Sequence, residues 1–314
     1  MNVAYIGIQL SIFALSLVAL ALASHFAIKY IEKLIELTGL SEVSAGFIIL
    51  AVMTSTPEII VALFSILQGK PGISVGDVFG SNVFNIGVVV GILAMLGYLK
   101  ICSTDRLVEL TDILFLTSLI PLLLVIFKVW SPVVGGILFG VFLFNIYFMA
   151  KKKMPKVDTE EFKTGDTKGT VKVFAIFALG MACVFVAADL VVSSGIEIAM
   201  LLGAPPILVG AKVIAIGTSL PELTLDFAAV RRGRVQLAIG DIIGSNLTNL
   251  TLVLGLVLVA SPFAVDITIF VEILPFLLIT TIIFWRFLTR GGISQVGGVI
   301  LIFTYILFQA ILFK

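Results

Sequence analysis

The chain has 314 residues, of which 60% are hydrophobic and 12% are charged, and its formal net charge is +1. Because a typical soluble domain carries about twice that share of charged residues, this composition excludes a cytosolic enzyme, a nucleic-acid-binding protein and a disordered chain. The mean hydropathy of +1.22 predicts an integral membrane protein instead. Two cysteines, Cys102 and Cys183, are too few for a disulfide framework or a cysteine-based metal site.

The apolar runs predict an all-α membrane fold of ten transmembrane helices, since a crossing helix needs about 20 apolar residues. In chain order we place these helices near 4–28, 43–68, 73–97, 111–128, 131–150, 172–200, 206–230, 235–259, 266–286 and 293–313. The lysine-rich polar segment 151–171 divides them into two five-helix halves, 1–150 and 172–314. The first run lacks a basic flank, so we expect a membrane helix there rather than a cleavable signal peptide.

The basic residues predict the orientation of the chain. With the N-terminus outside, sixteen of the twenty Lys and Arg residues fall in loops on the inner side. Such an asymmetry follows the positive-inside rule. We therefore expect a multi-pass protein of the cell membrane, with both termini outside and the 151–171 linker in the cytoplasm.

The two halves repeat each other at an offset of 164 residues. Segment 51–85 is AVMTSTPEIIVALFSILQGKPGISVGDVFGSNVFN, and segment 215–249 is AIGTSLPELTLDFAAVRRGRVQLAIGDIIGSNLTN. The polar residues that match are Thr54 with Thr218, Ser55 with Ser219, Glu58 with Glu222, Asp77 with Asp241, Ser81 with Ser245, and Asn85 with Asn249. Because each half has five predicted helices, an odd number, the halves must cross the membrane in opposite directions, as in many secondary transporters.

Glu58 and Glu222 each lie in the middle of an apolar helix, where an ionisable side chain is costly and marks a functional site. Each follows a Thr-Ser pair and a proline. Because proline has no N–H, Pro57 and Pro221 leave a backbone carbonyl free about one turn earlier. Each segment therefore offers carbonyl, hydroxyl and carboxylate oxygens to a cation. The plainer alternative is a pair of buried, protonated glutamates with a structural role.

A second polar element recurs every four residues and so occupies one helical face: Asp77, Ser81 and Asn85 in the first half, and Asp241, Ser245 and Asn249 in the second. All of these are hard oxygen donors, which suit Ca²⁺ or Na⁺ rather than Zn²⁺ or Cu⁺. Asp77 and Asp241 are either accessory ligands or structural hydrogen-bonding groups. Asp226, one turn after Glu222, is expected to pair with a neighbour or to reach the membrane interface.

The paired segments, TSTPEI with GSNVFN and GTSLPEL with GSNLTN, resemble the two alpha repeats of the calcium/cation antiporter superfamily, and of its prokaryotic sodium/calcium exchangers in particular. The resemblance implies a secondary antiporter that extrudes Ca²⁺ in exchange for Na⁺, with the first and sixth helices sliding across the other eight. Ca²⁺ and Na⁺ are then transported ions, and no cofactor is expected. We also expect no enzymatic activity, because no nucleophile–base pair or zinc motif is present in the sequence.

By motif position, the resemblance implies that Glu58 and Glu222 bind both Ca²⁺ and Na⁺. It implies that the Na⁺ sites are completed by the hydroxyls of Thr54, Ser55, Ser81, Thr218, Ser219 and Ser245 and by the carbonyls of Ala51 and Ala215, with Asn85 and Asn249 beside the central site. Three departures from the family pattern bear on the coupling ion and stoichiometry. Asn249 stands where archaeal members often have Asp, Asp77 and Asp241 stand where related chains often have Asn, and Met53 replaces a glycine.

The residues leave other functions open. Protons could replace Na⁺ at neighbouring buried carboxylates, and K⁺ co-transport is a further variant. A passive cation channel is disfavoured, because an inverted internal repeat differs from the rotational symmetry of many channels. One chain holds both repeats, so we expect a monomer to be functional, with Ca²⁺, Na⁺ and membrane lipid as its partners and no nucleic acid.

Overall fold

A computed structural model describes residues 3–38, 41–67, 71–127, 131–151, 167–201, 215–260 and 267–311. These residues form ten helical rods, which we number in chain order. In the first half, helix 1 is Val3–Thr38, helix 2 is Glu42–Leu67, helix 3 joins Pro71–Phe84, Asn85–Val90 and Gly91–Met95, helix 4 joins Asp105–Ser118 and Ile120–Phe127, and helix 5 is Pro132–Lys151. In the second half, helix 6 is Thr167–Leu201, helix 7 joins Ala215–Thr218 and Leu220–Arg231, helix 8 is Val235–Ala260, helix 9 is Ile267–Leu288 and helix 10 is Gln295–Ile311.

Helices 3 and 8 form the centre of the bundle. About 83% of the apolar stretch of each is buried, against 22% for helix 5 at the periphery. The outward surface is apolar, with Leu15, Val133 and Leu179 among its exposed side chains. By length and composition, helices 2, 3, 4, 5 and 8 each contain a stretch able to cross a membrane. A helical bundle with such an apolar outer surface is suited to lipid rather than to water. We therefore expect its functional polar residues in the interior.

Helices 1 and 6 lie along each other and form a pair at the side of the bundle. They approach closely where Gly180 of helix 6 faces Ala27 and Phe26 of helix 1. Helix 1 also packs on the Leu220–Arg231 segment of helix 7, which carries Glu222. The pair therefore contacts the polar interior mainly through helix 7.

Three predicted helix boundaries are wrong, and one of them is the start of helix 4, which lies at Asp105 rather than near residue 111. Helix 1 does not end near residue 28 but continues to Thr38, because Ala27, Ile31 and Leu34 form a buried stripe that favours an amphipathic continuation. Helix 6 begins at Thr167, inside the predicted 151–171 linker, and helix 5 runs on to Lys151. The middle of the linker, 152–166, and the start of predicted helix 7, 206–214, lie outside the described residues.

Candidate cation-binding site

Helices 2 and 7 are each interrupted at a serine two residues before a proline. The backbone of Ser55 has φ −75° and ψ 5°, and that of Ser219 has φ −91° and ψ 5°. The break leaves Glu58 and Glu222 in the first turn of the helical segments that follow. A helix N-terminus carries partial positive charge and the end of the preceding segment carries partial negative charge. Each break thus brings carbonyl oxygens and a carboxylate to one place, which suits a cation.

The interrupted part of helix 2 meets helix 8, from the opposite half of the chain. Thr54 Oγ1 lies 3.0 Å from Ser245 Oγ and 3.3 Å from Asp241 Oδ1. The same hydroxyl oxygen is 3.2 Å from the carbonyl oxygen of Ala51. The polar face predicted for helix 8 therefore points at the break in helix 2.

The corresponding contact in the other repeat joins helix 7 to helix 3. Thr218 Oγ1 donates to Asp77 Oδ1 at 3.0 Å and lies 3.2 Å from Ser81 Oγ. It is also 3.3 Å from the carbonyl oxygen of Ala215, which Ser81 Oγ approaches to 3.5 Å. The threonine of each half thus contacts an aspartate and a serine of the other half, so each polar cluster contains residues from both repeats.

Glycines allow helices 2 and 8 to touch at this crossing. A Cβ at Gly46 would overlap the backbone oxygen of Leu237 and lie 2.8 Å from the nitrogen of Asp241, and one at Gly244 would lie 2.6 Å from the Cβ of Ala51. Backbone therefore packs directly against backbone here.

Four asparagines, which follow Ser81 and Ser245 in the chain, link helices 3 and 8. Asn85 Nδ2 donates to Asn246 Oδ1 at 3.1 Å, and Asn249 Nδ2 donates to Asn82 Oδ1 at 3.2 Å. Asn82 Nδ2 also donates to the carbonyl oxygen of Asn246 at 3.2 Å. This arrangement uses the amide nitrogens of Asn85 and Asn249 and leaves the side-chain oxygens of both without a hydrogen-bond partner. Those oxygens are then available to a cation.

The helices change geometry at the same asparagines. A wider, π-type turn begins at Asn85 in helix 3 and at Asn249 in helix 8, and it runs to Val90 and Val253 respectively. Such turns are rare in helices and occur often at functional sites. The repeat at an offset of 164 residues is therefore present in the backbone as well as in the side chains.

Most buried polar atoms without a hydrogen-bond partner in the described residues belong to this region. Nearly all of them are oxygens: Ser55 Oγ, both carboxylate oxygens of Glu58, Glu222 and Asp226, Oδ2 of Asp77 and Asp241, Oδ1 of Asn85 and Asn249, and Ser219 Oγ. An unpaired buried polar group costs about 1–3 kcal/mol, and a buried unpaired charge costs more. A concentration of orphaned acceptors is expected where a positively charged ligand binds.

Five carboxylates are completely buried here, namely those of Glu58, Asp77, Glu222, Asp226 and Asp241. Glu58 acts electrostatically on Glu222, Asp77 on Glu58, and Asp241 on both Glu222 and Asp226. No Lys, Arg or His is among the buried side chains in the described part of the chain. Lys212, which precedes Thr218 in the sequence, lies outside it. Cations from outside the protein are therefore suited to balance the negative charge.

The site is spread out rather than built as a compact carboxylate cage. Across the described ranges, no three His, Cys, Asp or Glu side chains form a group that could hold a metal ion by themselves. Hydroxyl, amide and carbonyl oxygens would have to contribute. A loose shell of neutral and charged oxygens suits Na⁺ and Ca²⁺, which accept flexible coordination.

The structure brings Thr54, Asp241 and Ser245 together beside Ala51, and Thr218, Asp77 and Ser81 together beside Ala215. Asn85 and Asn249 lie one turn after the two serines, in the asparagine cluster, and Ser55, Glu58, Ser219 and Glu222 lie at the two helix interruptions.

The sequence does not indicate that the amides of Asn82 and Asn246 orient Asn85 and Asn249. For Asp226 we expected either a paired neighbour or a position at the membrane interface. The side chain is fully buried, so the interface alternative is wrong, whereas its hydrogen-bonding contact with the carboxyl group of Asp241 agrees with pairing. The position of Asp226 one turn after Glu222, on the same helical face, was the available signal.

Comparisons with known proteins agree with this arrangement. A family model described as sodium/calcium exchanger protein matches residues 8–151 and 172–314, in two parts that correspond to the two halves. The sodium/calcium exchanger MaX1 of Methanosarcina acetivorans is 27% identical over 98% of this chain and 99% of its own length. The inner membrane protein YrbG of Escherichia coli is 28% identical over 88% of this chain and 87% of its own length.

The fold is also that of a solved structure. The sodium-calcium exchanger NCX_Mj, soaked with 10 mM Na⁺ and zero Ca²⁺, superposes with a TM-score of 0.81 at 24% identity. The match covers 96% of this chain and 98% of that chain. At this identity the likeness establishes the all-helical membrane fold alone.

Proposed function

The chain belongs to the sodium/calcium exchanger family of membrane transporters, which are not enzymes, and we propose that it exchanges Ca²⁺ for Na⁺ by alternating access. One observation carries the proposal. Two completely buried glutamates, Glu58 and Glu222, lie in the first turn of the second segments of two interrupted helices in opposite halves of the chain. Their oxygens make no well-formed hydrogen bond among the described residues, and the groups that approach them are hydroxyls, those of Thr218 and Ser81 at Glu58 and that of Thr54 at Glu222. The relatives MaX1 and NCX_Mj bear the name of sodium/calcium exchangers, which supports the same ions for this chain.

The proposed ligands follow from position. Glu58 and Glu222 bind Ca²⁺ and Na⁺ in turn. Hydroxyl and carbonyl oxygens near the two breaks complete the Na⁺ sites: those of Thr54, Ser55, Ser81, Thr218, Ser219 and Ser245, with the carbonyls of Ala51 and Ala215. We assign the unpaired amide oxygens of Asn85 and Asn249 to positions beside the central site, and Asp77 and Asp241 to the role of accessory ligands.

Charge balance supports an electrogenic exchange. An exchange of three Na⁺ for one Ca²⁺ moves one net positive charge per cycle, whatever the charge of the buried carboxylates. Moving that charge through the membrane is worth roughly 2.3 kcal/mol per 100 mV. Ca²⁺ and Na⁺ compete for the same carboxylates, and an empty site would leave those buried charges unpaired while it changes sides, so the transport of the two ions is coupled.

The pairing of helix 1 with helix 6 supports the proposal that these two helices are the part of the protein that moves. This pair packs along its own length and contacts the interior mainly through helix 7. We propose that it shifts against the remaining helices and opens the site to each side in turn, in a single chain, with both termini outside and 151–171 in the cytoplasm.

A proton/Ca²⁺ exchanger is the second candidate. The observation that favours it is the set of five buried carboxylates with no buried basic partner among the described residues, because such groups can bind protons in place of Na⁺. The many neutral hydroxyl and amide oxygens favour Na⁺, since they can complete the shells of additional monovalent ions.

Flux into reconstituted vesicles separates the candidates. Vesicles carrying the purified protein are loaded with Na⁺, K⁺ or acidic buffer and diluted into medium with radiolabelled Ca²⁺. We expect rapid Ca²⁺ uptake only from the Na⁺-loaded vesicles. Uptake that follows the pH gradient and ignores Na⁺ would establish the proton exchanger, and uptake that needs no counter-ion would establish a channel.

Removing one serine hydroxyl is expected to weaken the binding of Na⁺ more than the binding of Ca²⁺. For Ser81→Ala and Ser245→Ala, we expect the Na⁺ concentration that gives half-maximal exchange to rise about fivefold, equivalent to about 1 kcal/mol for one neutral ligand. The Ca²⁺ concentration for half-maximal exchange should shift less than about twofold, because the glutamates carry most of the Ca²⁺ interaction. Initial rates over a series of Na⁺ and of Ca²⁺ concentrations measure both.

Thr280→Val is the control for these variants. Its hydroxyl donates to the carbonyl of Phe276 within helix 9, so the half-maximal concentrations should stay at wild-type values. Equal shifts for Na⁺ and Ca²⁺ in the serine variants would mean that these hydroxyls do not select Na⁺.

A further inference from the structure

Asp226 is a buried acid that the repeat does not explain. Its side chain is 0% exposed, and neither carboxylate oxygen has a hydrogen-bond partner. It lies on helix 7, one turn after Glu222, so both carboxylates emerge from the same helical face. An ionised carboxylate in such surroundings is unstable unless a positive group stands beside it.

The corresponding position in the first repeat shows that this acid is specific to the second half. At the offset of 164 residues, Asp226 corresponds to Ala62 of helix 2, which is also fully buried. Glu58 therefore has one buried aspartate near it, Asp77, whereas Glu222 has two, Asp241 and Asp226. An alanine is sufficient for packing at this position, so packing alone does not require Asp226.

Asp241 is the natural partner of Asp226. Its Oδ1 already accepts from Thr54 and Ser245, but its Oδ2 has no partner. Both Asp241 and Glu222 act electrostatically on Asp226. The carboxyl groups of Asp226 and Asp241 lie within hydrogen-bonding reach of each other, so a proton shared between them would join them. When both are ionised, they offer three unpaired oxygens, Oδ1 and Oδ2 of Asp226 and Oδ2 of Asp241, and a cation can take the place of the proton.

Asp226 and Asp241 lie at a similar distance from the turn that joins helices 7 and 8. Helices 7 and 8 are joined by a tight turn in which Gly233 has φ 79°. Asp226 precedes the end of helix 7 by five residues, and Asp241 follows the start of helix 8 by six. At 1.5 Å per residue, both lie about 8 Å from this turn. They are therefore closer to the turn than Glu222, on one side of the central glutamates.

We propose that Asp226 and Asp241 form a second cation-binding site, between the central glutamates and the turn that joins helices 7 and 8. Its ligand is a hard metal cation, Ca²⁺ or Na⁺, held by the free carboxylate oxygens. The site exists in the second half alone, so ions that arrive from the side of the helix 7–8 turn meet an extra binding step. The inference rests on the proposed cation chemistry of the central site, but it does not depend on which ion drives transport.

Counting bound ions tests the second site. The purified full-length protein in detergent is equilibrated by dialysis with radiolabelled Ca²⁺ in Na⁺-free buffer, and separately with radiolabelled Na⁺ in Ca²⁺-free buffer. We expect Asp226→Asn to bind about one ion fewer per chain than wild type in one of the two arms, which also identifies the cation. Asp226→Ala, which copies the corresponding residue Ala62, should give the same loss and keeps the test valid if the asparagine variant is unstable.

Glu58→Gln separates the two sites. It should lose the central ion and retain the ion that Asp226→Asn removes, and the double variant should lose both. Unchanged counts in both arms for a folded Asp226→Asn protein, or loss of both ions in Glu58→Gln alone, would overturn the second site. These counts require no transport, so a failure of Na⁺-driven uptake in vesicles would overturn the proposed exchange without changing them.

Discussion

Glu58→Gln or Glu222→Gln is expected to abolish Ca²⁺ exchange, with uptake reduced at least about 100-fold in vesicles loaded with Na⁺. Each change removes one of the two charges that would face the ion, while the size of the side chain is kept. Losing one partner of a buried charge interaction costs roughly 3–5 kcal/mol, which is equivalent to more than a hundredfold in affinity. Because both glutamates are fully buried and lack hydrogen-bond partners, the variant proteins should still fold.

Glu42→Gln is the matched control. Glu42 lies at the start of the same helix as Glu58, and its carboxylate forms an ion pair of 2.7 Å with Arg234 at the partly exposed end of the bundle. Such pairs contribute at most about 1 kcal/mol. Exchange should stay within about twofold of wild type. Wild-type exchange in either central glutamine variant would exclude Glu58 and Glu222 as shared ligands.

Gly46→Ala is expected to separate helix 2 from helix 8 and to abolish exchange through packing rather than charge. The new methyl group would overlap the backbone oxygen of Leu237, and backbone cannot rotate away as a flexible side chain can. Overpacking of this kind costs about 1–3 kcal/mol, so the apparent melting temperature in detergent should fall by about 3–10 °C. Thr54 would move away from Asp241 and Ser245, and Ca²⁺ uptake should be lost with it.

The control is Gly136→Ala in helix 5, where a Cβ would meet nothing within 4 Å. Alanine favours a helix over glycine by about 1 kcal/mol, so this variant should melt at or slightly above the wild-type temperature and exchange normally. A Gly46→Ala protein with wild-type stability and uptake would show that the close crossing of helices 2 and 8 is unnecessary.

The site residues could be predicted because their chemistry conflicts with their surroundings. A carboxylate such as Glu222 in an apolar helix stands out in the sequence, and its recurrence as Glu58 at a fixed offset indicates a repeat with a function. The crosswise pairing could not be predicted. Thr54 contacts Asp241 and Ser245 rather than its own half, and this depends on how the helices cross, which no local pattern records.

Other features depended equally on tertiary structure. The turns that begin at Asn85 and Asn249 arise where amides bond across helices 3 and 8. The burial of Asp226 was missed because a helix of mixed polarity can turn that face to the interface or to the interior. The extension of helix 1 to Thr38 was missed because charged residues such as Lys29 and Lys33 obscure the buried stripe of an amphipathic helix.

The proposed exchange requires that Na⁺ and Ca²⁺ compete for one site built from Glu58 and Glu222. Equilibrium binding of radiolabelled Ca²⁺ to the purified protein, repeated at increasing Na⁺ concentrations, tests it most directly. We expect Na⁺ to raise the apparent Kd for Ca²⁺ steeply, with a slope greater than one because several Na⁺ displace one Ca²⁺, and we expect Glu58→Gln and Glu222→Gln to lose this competed binding. A Ca²⁺ affinity that does not change with Na⁺ would contradict it.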